Sequence, residues 1–269
     1  GSRLLGYVWR RSFPHPCRLL CMDFNERVIP KITANFLFQE AIARYHFALR
    51  HLSSKSKLIL DIGCGTGYGT ALLAQKGAVI GLDIDREAVI YAQKHFPQAT
   101  FITSSALKLP FPDNQTDCIV SFETIEHFPQ TNKFLSEVKR ILHPRGLFIL
   151  STPNGQSNSP YHATYFTSKT LITALRKYFP KVALYGQFKS LKAKNAFQKF
   201  LVSQLARQTY VNSDVFNLRK LLPKSVKEKL WTHIGALHGR NNQEQLTWKD
   251  FPITKHVENC EYLLAICQK

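Results

Sequence analysis

The stretch "KLILDIGCGTGYG", residues 57–69, decides the fold. Its first half is an apolar run closed by Asp61 and Ile62, and its second half carries Gly63, Gly65, Gly67 and Gly69. An unbroken apolar run of this length suits a strand buried on both faces. The glycines suit a tight turn at which the backbone approaches a ligand closely. "TALLAQK" then reads as a short helix stopped by Gly77. A dinucleotide-binding turn would read G-x-G-x-x-G, with its third glycine five residues after the first. Here Gly63, Gly65 and Gly67 give G-x-G-x-G instead.

Outward from this unit, strands and helices alternate. A helix is predicted over 35–52 ("NFLFQEAIARYHFALRHL"). Further strands are predicted at "AVIGLD" (78–83), "ATFITS" (99–104), "TDCIVSF" (116–122), "LFILST" (147–152), "KVALYG" (181–186) and "YLLAIC" (262–267). Helices fall at 86–96, at 130–142 and at 168–179, the last capped by Ser168 and ended by Pro180. "PRG" (144–146) reads as the turn into the fifth strand. The expected architecture is α/β: a Rossmann-like, seven-stranded, mostly parallel sheet with helices on both faces. Between the sixth and seventh strands lie about 70 residues, far beyond an ordinary connection. Residues 189–258 are therefore expected to form a basic helical insert or lid before the last strand. They include the amphipathic "LRKLLPKSVKEKLWTHIGALHGR" (218–240). The main domain is expected over 22–188 plus 259–269, with 1–21 an extension before the lone Met22.

The chain has 269 residues, 44% of them hydrophobic, enough for a full core. No apolar run approaches the roughly 20 residues of a transmembrane helix, and the first residues do not read as a secretory signal. The six cysteines are scattered without a C-x-x-C pair, which suits buried thiols in a reducing compartment. The expected location is cytoplasmic, with the membrane surface left open. A net charge of +18 predicts attraction to polyanions, whether nucleic acid, anionic lipid or phosphorylated substrates.

The turn "DIGCGTGYG" resembles motif I of the class I S-adenosylmethionine-dependent methyltransferases. "GLDID" (81–85), "SSALKLPFPDNQTDCIVSFETIEHF" (104–128) and "KRILHPRGLFILSTPN" (139–154) resemble that family's later motifs in the same order. The resemblance implies S-adenosylmethionine as cofactor and a cofactor site made from Asp61, Gly63, Cys64, Gly65, Gly67, Asp83, Ile84, Ser105, Ala106 and Ser121. In it Asp83 binds the ribose hydroxyls, a task that suits a carboxylate because it accepts two hydrogen bonds at once. Ile84 packs on the adenine. Ser105 departs from the family's usual aspartate at the adenine amino group.

"SFETIEHF" (121–128) puts Glu123, Glu126 and His127 at i, i+3 and i+4, one face if the stretch is helical. Three readings stay open. Glu123, Glu126, His127 and His162 bind Mg²⁺ or Mn²⁺, as in the similar stretches of ubiquinone-pathway O-methyltransferases and small-RNA 2′-O-methyltransferases. Alternatively Glu123, His127 or His162 is a catalytic group without metal. Or the stretch is a polar helix start. Arg27 and Tyr45 are candidates near the cofactor or acceptor, and Tyr161, His162 and Tyr165 for lining an acceptor pocket. "NERVIP", "ARYHFA" and "NSPYHATYFT" look like a bacterial group linked to glycan and small-molecule modification. The expected acceptor is a hydroxyl, or an amine, of a small molecule or saccharide, lipid-linked forms included. RNA is the runner-up, and a catalytically silent cofactor-binding subunit the third reading. Oligomeric state is not legible.

Overall fold

The computed structural model describes residues 28–30, 33–53, 58–156, 159–212 and 245–269. Over 202–212 only the helical backbone is described. The expected extension, Arg27 and the amphipathic stretch 218–240 lie outside the described residues.

All seven expected strands form, together with a two-residue eighth. They are β1 (Leu58–Ile62), β2 (Ala78–Asp83), β3 (Thr100–Thr103), β4 (Thr116–Phe122), β5 (Leu142–Pro153), β6 (Lys181–Gln187), β7 (Ile253–Thr254) and β8 (Tyr262–Gln268). They join one sheet in the order β3-β2-β1-β4-β5-β8-β6-β7. β1 to β5 pair in parallel, while β8 lies antiparallel between β5 and β6 and β7 runs antiparallel to β6. The helices are α1 (Asn35–His51), α2 (Tyr68–Leu73), α3 (Arg86–His95), α4 (Thr131–Ile141), α5 (Ser168–Arg176) and α6 (Leu191–Asn212).

The continuous apolar strands follow from burial on both faces. Successive residues of a strand point to opposite sides. Leu60, Phe148, Leu150, Leu263 and Ala265 enter one core with Phe134, Leu171 and Phe179. Ile59, Ile149 and Leu264 enter a second core with Tyr45, Phe47 and Leu73. A smaller cluster of Phe36, Ala193, Phe197, Leu246 and Phe251 ties α6 and the chain after it to α1.

Three local expectations change. Residues 144–146, read as a turn, lie within β5 as an irregularity: Thr116 pairs Leu142 and Cys118 pairs Leu147. Pro144 cannot donate to a ladder, so the strand bulges past it. The cap of α5 is Thr167, whose hydroxyl accepts from Thr170 N, while Ser168 is the first helical residue. The stretch 121–128 is not an α-helix. Phe122 ends β4, Glu123 takes a left-handed φ of 51°, and only Ile125–His127 form a 3-10 turn.

Candidate active site at the carboxyl edge of the sheet

The carboxyl ends of β1, β2, β4 and β5 share one edge, where α/β sheets bind ligands. Gly63, Gly65 and Gly67 all have φ between 52° and 83°. A side chain at Gly63 would collide with Thr124, and one at Gly67 would meet Ala92 Cβ at 2.6 Å. At Gly65 no atom lies within 4 Å of where a Cβ would stand. Two of these glycines therefore permit tight packing, and the third faces open space.

Gly63 N and Cys64 N donate to Leu82 O at 2.8 and 3.0 Å, pinning the turn to β2. Asp83 is fixed at both oxygens: Oδ2 accepts from Gly65 N (2.8 Å) and Oδ1 from Asp85 N (2.9 Å). Each oxygen keeps lone-pair capacity for a ligand hydroxyl. Next to it, Ile84 is 75% exposed, an apolar side chain held out at the edge of the glycine turn. Ser105 Oγ accepts from Leu107 N at 3.2 Å and folds the turn after β3, with Ala106 half-buried against the core.

The other expected cofactor residues support this surface from behind. Asp61 is fully buried and accepts from Thr70 Oγ1 (2.6 Å) and the Tyr45 hydroxyl (3.3 Å). Burial pushes its pKa from 3.8 up to about 7, against the two hydrogen bonds. Tyr45 is thus a positioning group whose ring also fills the space over Gly69. Ser121 is buried and donates to Ile62 O at 2.9 Å, bracing β4 on β1. Cys64 is buried with Val89, Ala92 and Phe101, and burial pushes its thiol pKa up.

The second half of the site follows β4. Glu123 Oε1 accepts from Ser151 Oγ at 2.6 Å. Burial raises its pKa, opposed chiefly by Arg44 and by the Ser151 bond. Glu126 is 1% exposed, and although the Thr152 hydroxyl approaches, no hydrogen bond of good geometry reaches either carboxyl oxygen. Burial, then the charge of Glu123, raises its pKa well above the usual range. The loop bearing His162 is stapled beneath it: Ala163 N and Thr164 N donate to Glu126 O at 2.9 and 3.0 Å, and Thr164 Oγ1 to Phe128 O at 3.1 Å. The His127 and His162 rings meet edge to face, centroids 5.0 Å apart. Tyr161 and Tyr165 stand out of this loop, 50% and 45% exposed.

Of the four residues expected at a metal centre, three converge. Ligand atoms of Glu126, His127 and His162 lie within 4.8 Å of one another, and Glu123 is not among them. The expected helix would have aligned Glu123 with Glu126 and His127. The left-handed turn at Glu123 sends its carboxylate to Ser151 instead.

Sequence reading missed a buried polar network on the inner side of α1. Arg44 donates to Gln187 Oε1 at 2.8 Å and lies over the Tyr262 ring at 4.6 Å, while Glu40 pairs with Lys189 at 3.0 Å. The available signal was Glu40 and Arg44 at i, i+4 among apolar neighbours. The partner Gln187, 143 residues away from Arg44, has no sequence signature.

Residues 60–150 match the family model for a methyltransferase domain. That span contains the glycine turn, Asp83, the fourth strand and most of the fifth. Over that span the chain is similar to S-adenosylmethionine-dependent methyltransferases, and it shares their fold. The chain is 35% identical over 138 residues to a protein of Mycolicibacterium smegmatis named "Probable S-adenosylmethionine-dependent methyltransferase", covering 51% of this chain and 53% of that one. It is 28% identical over 137 residues to a fatty-acid O-methyltransferase of the same species, covering 49% and 50%. Among solved structures, a SAM-dependent methyltransferase from Archaeoglobus fulgidus shares the fold at TM-score 0.53 and 17% identity, over 87% of this chain and 99% of that one. The chain spans about half the length of the curated relatives it matches. The methyltransferase domain includes Glu123, Glu126 and His127 but ends before His162.

Proposed function

We propose that this chain transfers a methyl group from S-adenosylmethionine to an oxygen of a small or lipid-like acceptor, a hydroxyl or a carboxylate. The observation that carries the reading is adjacency. Thr124, one residue after Glu123, touches the glycine turn, so the acid/base groups stand beside the surface that suits the donor. The open side of Gly65, the doubly anchored Asp83 and the exposed Ile84 fit an amino-acid moiety, a ribose and an adenine in that order.

The bound donor would supply an activated methyl on a sulfonium. The protein's work is then to place the acceptor oxygen in line, about 3 Å away, and, for a hydroxyl, to take its proton. Glu123 suits that proton transfer: its pKa is raised by burial, which strengthens it as a base, and Ser151 fixes its direction. His127 sits three residues after Thr124 at the same edge. Tyr161 and Tyr165 offer exposed aromatic surface to an apolar acceptor. A lipid-like acceptor extends the expected small molecule or saccharide, and the fatty-acid O-methyltransferase relative supports it. A second reading, methylation of RNA, is favoured by the net charge of +18.

Methyl-labelled S-adenosylmethionine, incubated with the protein and a total extract of its source cells, tests both. Label in the lipid or polar small-molecule fraction is expected. Label confined to RNA would establish the second reading, and no label in any fraction would overturn both. Glu123→Gln is expected to slow labelling roughly 10²–10⁴-fold while donor binding persists.

A further inference from the structure

We propose that the outer face of α6, together with the tyrosines of the loop after β5, docks on an anionic membrane surface. The first observation is where the charge lies. Residues 138–213 hold twelve lysines and arginines and no aspartate or glutamate, so this stretch carries +12 of the chain's +18. It comprises the end of α4, β5, the loop bearing Tyr161 and Tyr165, α5, β6 and α6. Soluble surfaces normally intersperse both signs of charge. A long run without acids presents one sign and attracts a polyanion.

The second observation is the geometry of α6. Pro153 and Gln187 both pair with Tyr262, so β5 and β6 end level with each other. The helix that starts at Leu191 therefore rises from the edge that bears the candidate site. Ala193, Ala196, Phe197 and Phe200 recur at helical spacing and pack toward Phe36 of α1. The opposite face carries exposed Lys192, Lys194 and Lys199. Among them stand Leu191, 75% exposed, and Leu201, 43% exposed. Tyr161, Tyr165 and, in the first turn of α5, exposed Lys169 stand at the same edge of the sheet.

The mixture of side chains names the partner. Lysines are drawn to the negative potential of anionic headgroups, while leucine and tyrosine enter the interface beneath them. Exposed leucines offer nothing to a phosphate backbone, whose contacts come from charged and hydroxyl side chains and backbone N–H groups. A lipid surface uses both kinds of residue at once, and a nucleic acid only the lysines. Docked through this edge, the chain turns its candidate site toward the bilayer, where a lipid-like acceptor resides. That consequence rests on the proposed methyl transfer, whereas docking itself does not.

The test is co-sedimentation of the full chain with vesicles of phosphatidylcholine alone and of phosphatidylcholine mixed with phosphatidylglycerol, at low and high salt. Binding to the anionic vesicles, weakened by salt, is expected. Lys192→Glu combined with Lys194→Glu should weaken it at least roughly tenfold. Leu191→Ser should weaken it several-fold at either salt, and melting temperatures confirm that the variants fold. Arg176→Glu combined with Lys177→Glu changes the net charge equally at the opposite edge, where α5 ends, and should leave binding nearly unchanged. No binding to anionic vesicles, an equal loss from the two double variants, or binding of single-stranded RNA in place of vesicles would each overturn the proposal. Vesicle binding without label in the lipid fraction of the extract would instead sink the lipid-like acceptor and leave the docking face standing.

Discussion

Asp61 shows how much chemistry one residue carries out of sight. It closes β1 but is fully buried, and its pKa stands near 7. Between about pH 4 and 7 the folded protein holds this proton and the unfolded chain does not. Its contribution to stability is therefore complete below pH 4 and is lost as pH rises through 7, by up to about 1.4 kcal/mol per pH unit. Thermal melts from pH 5 to 8 should show wild type falling relative to Asp61→Asn, and a constant gap between the two would refute this. The acid was legible in the sequence as a strand-ending carboxylate before the glycine turn. Its burial was not, because Tyr45 comes from a helix 16 residues earlier and Thr70 from α2 beyond the turn. Gly69 was legible only as one more glycine, yet the Tyr45 ring occupies the space its side chain would need. Gly69→Ala should cost about 1–3 kcal/mol by overpacking, read as a lower midpoint in denaturant.

At the scale of elements, α4 holds the segment after β3 in place through one side chain. Arg140 donates to Leu109 O (3.1 Å), Phe111 O (2.8 Å) and Asp113 Oδ1 (2.8 Å), and Glu137 at its side accepts from Leu109 N (2.9 Å). This clamps the segment that follows Ser105 and Ala106. Charge-assisted bonds of this kind contribute about 1.5–3 kcal/mol each at most, less where solvent reaches them. Arg140→Ala should lower stability by roughly 1–3 kcal/mol and weaken donor binding several-fold, whereas a merely structural role would leave the binding constant unchanged. Elements with strong periodicity were read correctly: α1, α3, α4 and the long strands. Ambiguity entered where two neighbours offered the same chemistry, as with the hydroxyls of Thr167 and Ser168. It entered again where an acid–acid–His spacing mimicked a helix face although a left-handed residue broke the run at Glu123. A positive φ at a non-glycine has no composition to announce it.

At the scale of the molecule, the sheet order explains why the chain's end matters to its middle. β8 pairs with both β5 and β6, so residues 262–268 fill the center of one half of the sheet. Their apolar run was legible; their position between earlier strands was not, since only pairing with strands far earlier in the chain sets it. The two-residue β7 is too short for any periodicity to show. Phe36 joins α1 to α6 through edge contacts with Phe197 and Phe200, at 5.5 and 4.9 Å. Phe36→Ala should cost about 3–5 kcal/mol, and hydrogen exchange should rise first in α6. No helix among the described residues is long and apolar enough to cross a membrane.

The central claim is that the edge formed by the glycine turn, Asp83 and Ile84 holds S-adenosylmethionine. Equilibrium titration of the full chain with that compound, for wild type and for Asp83→Ala, tests it most directly. One molecule per chain is predicted for wild type, with affinity falling at least roughly tenfold in a folded Asp83→Ala variant, as the loss of charge-assisted hydrogen bonds requires. No saturable binding by wild type, or equal affinity in the two proteins, would contradict it.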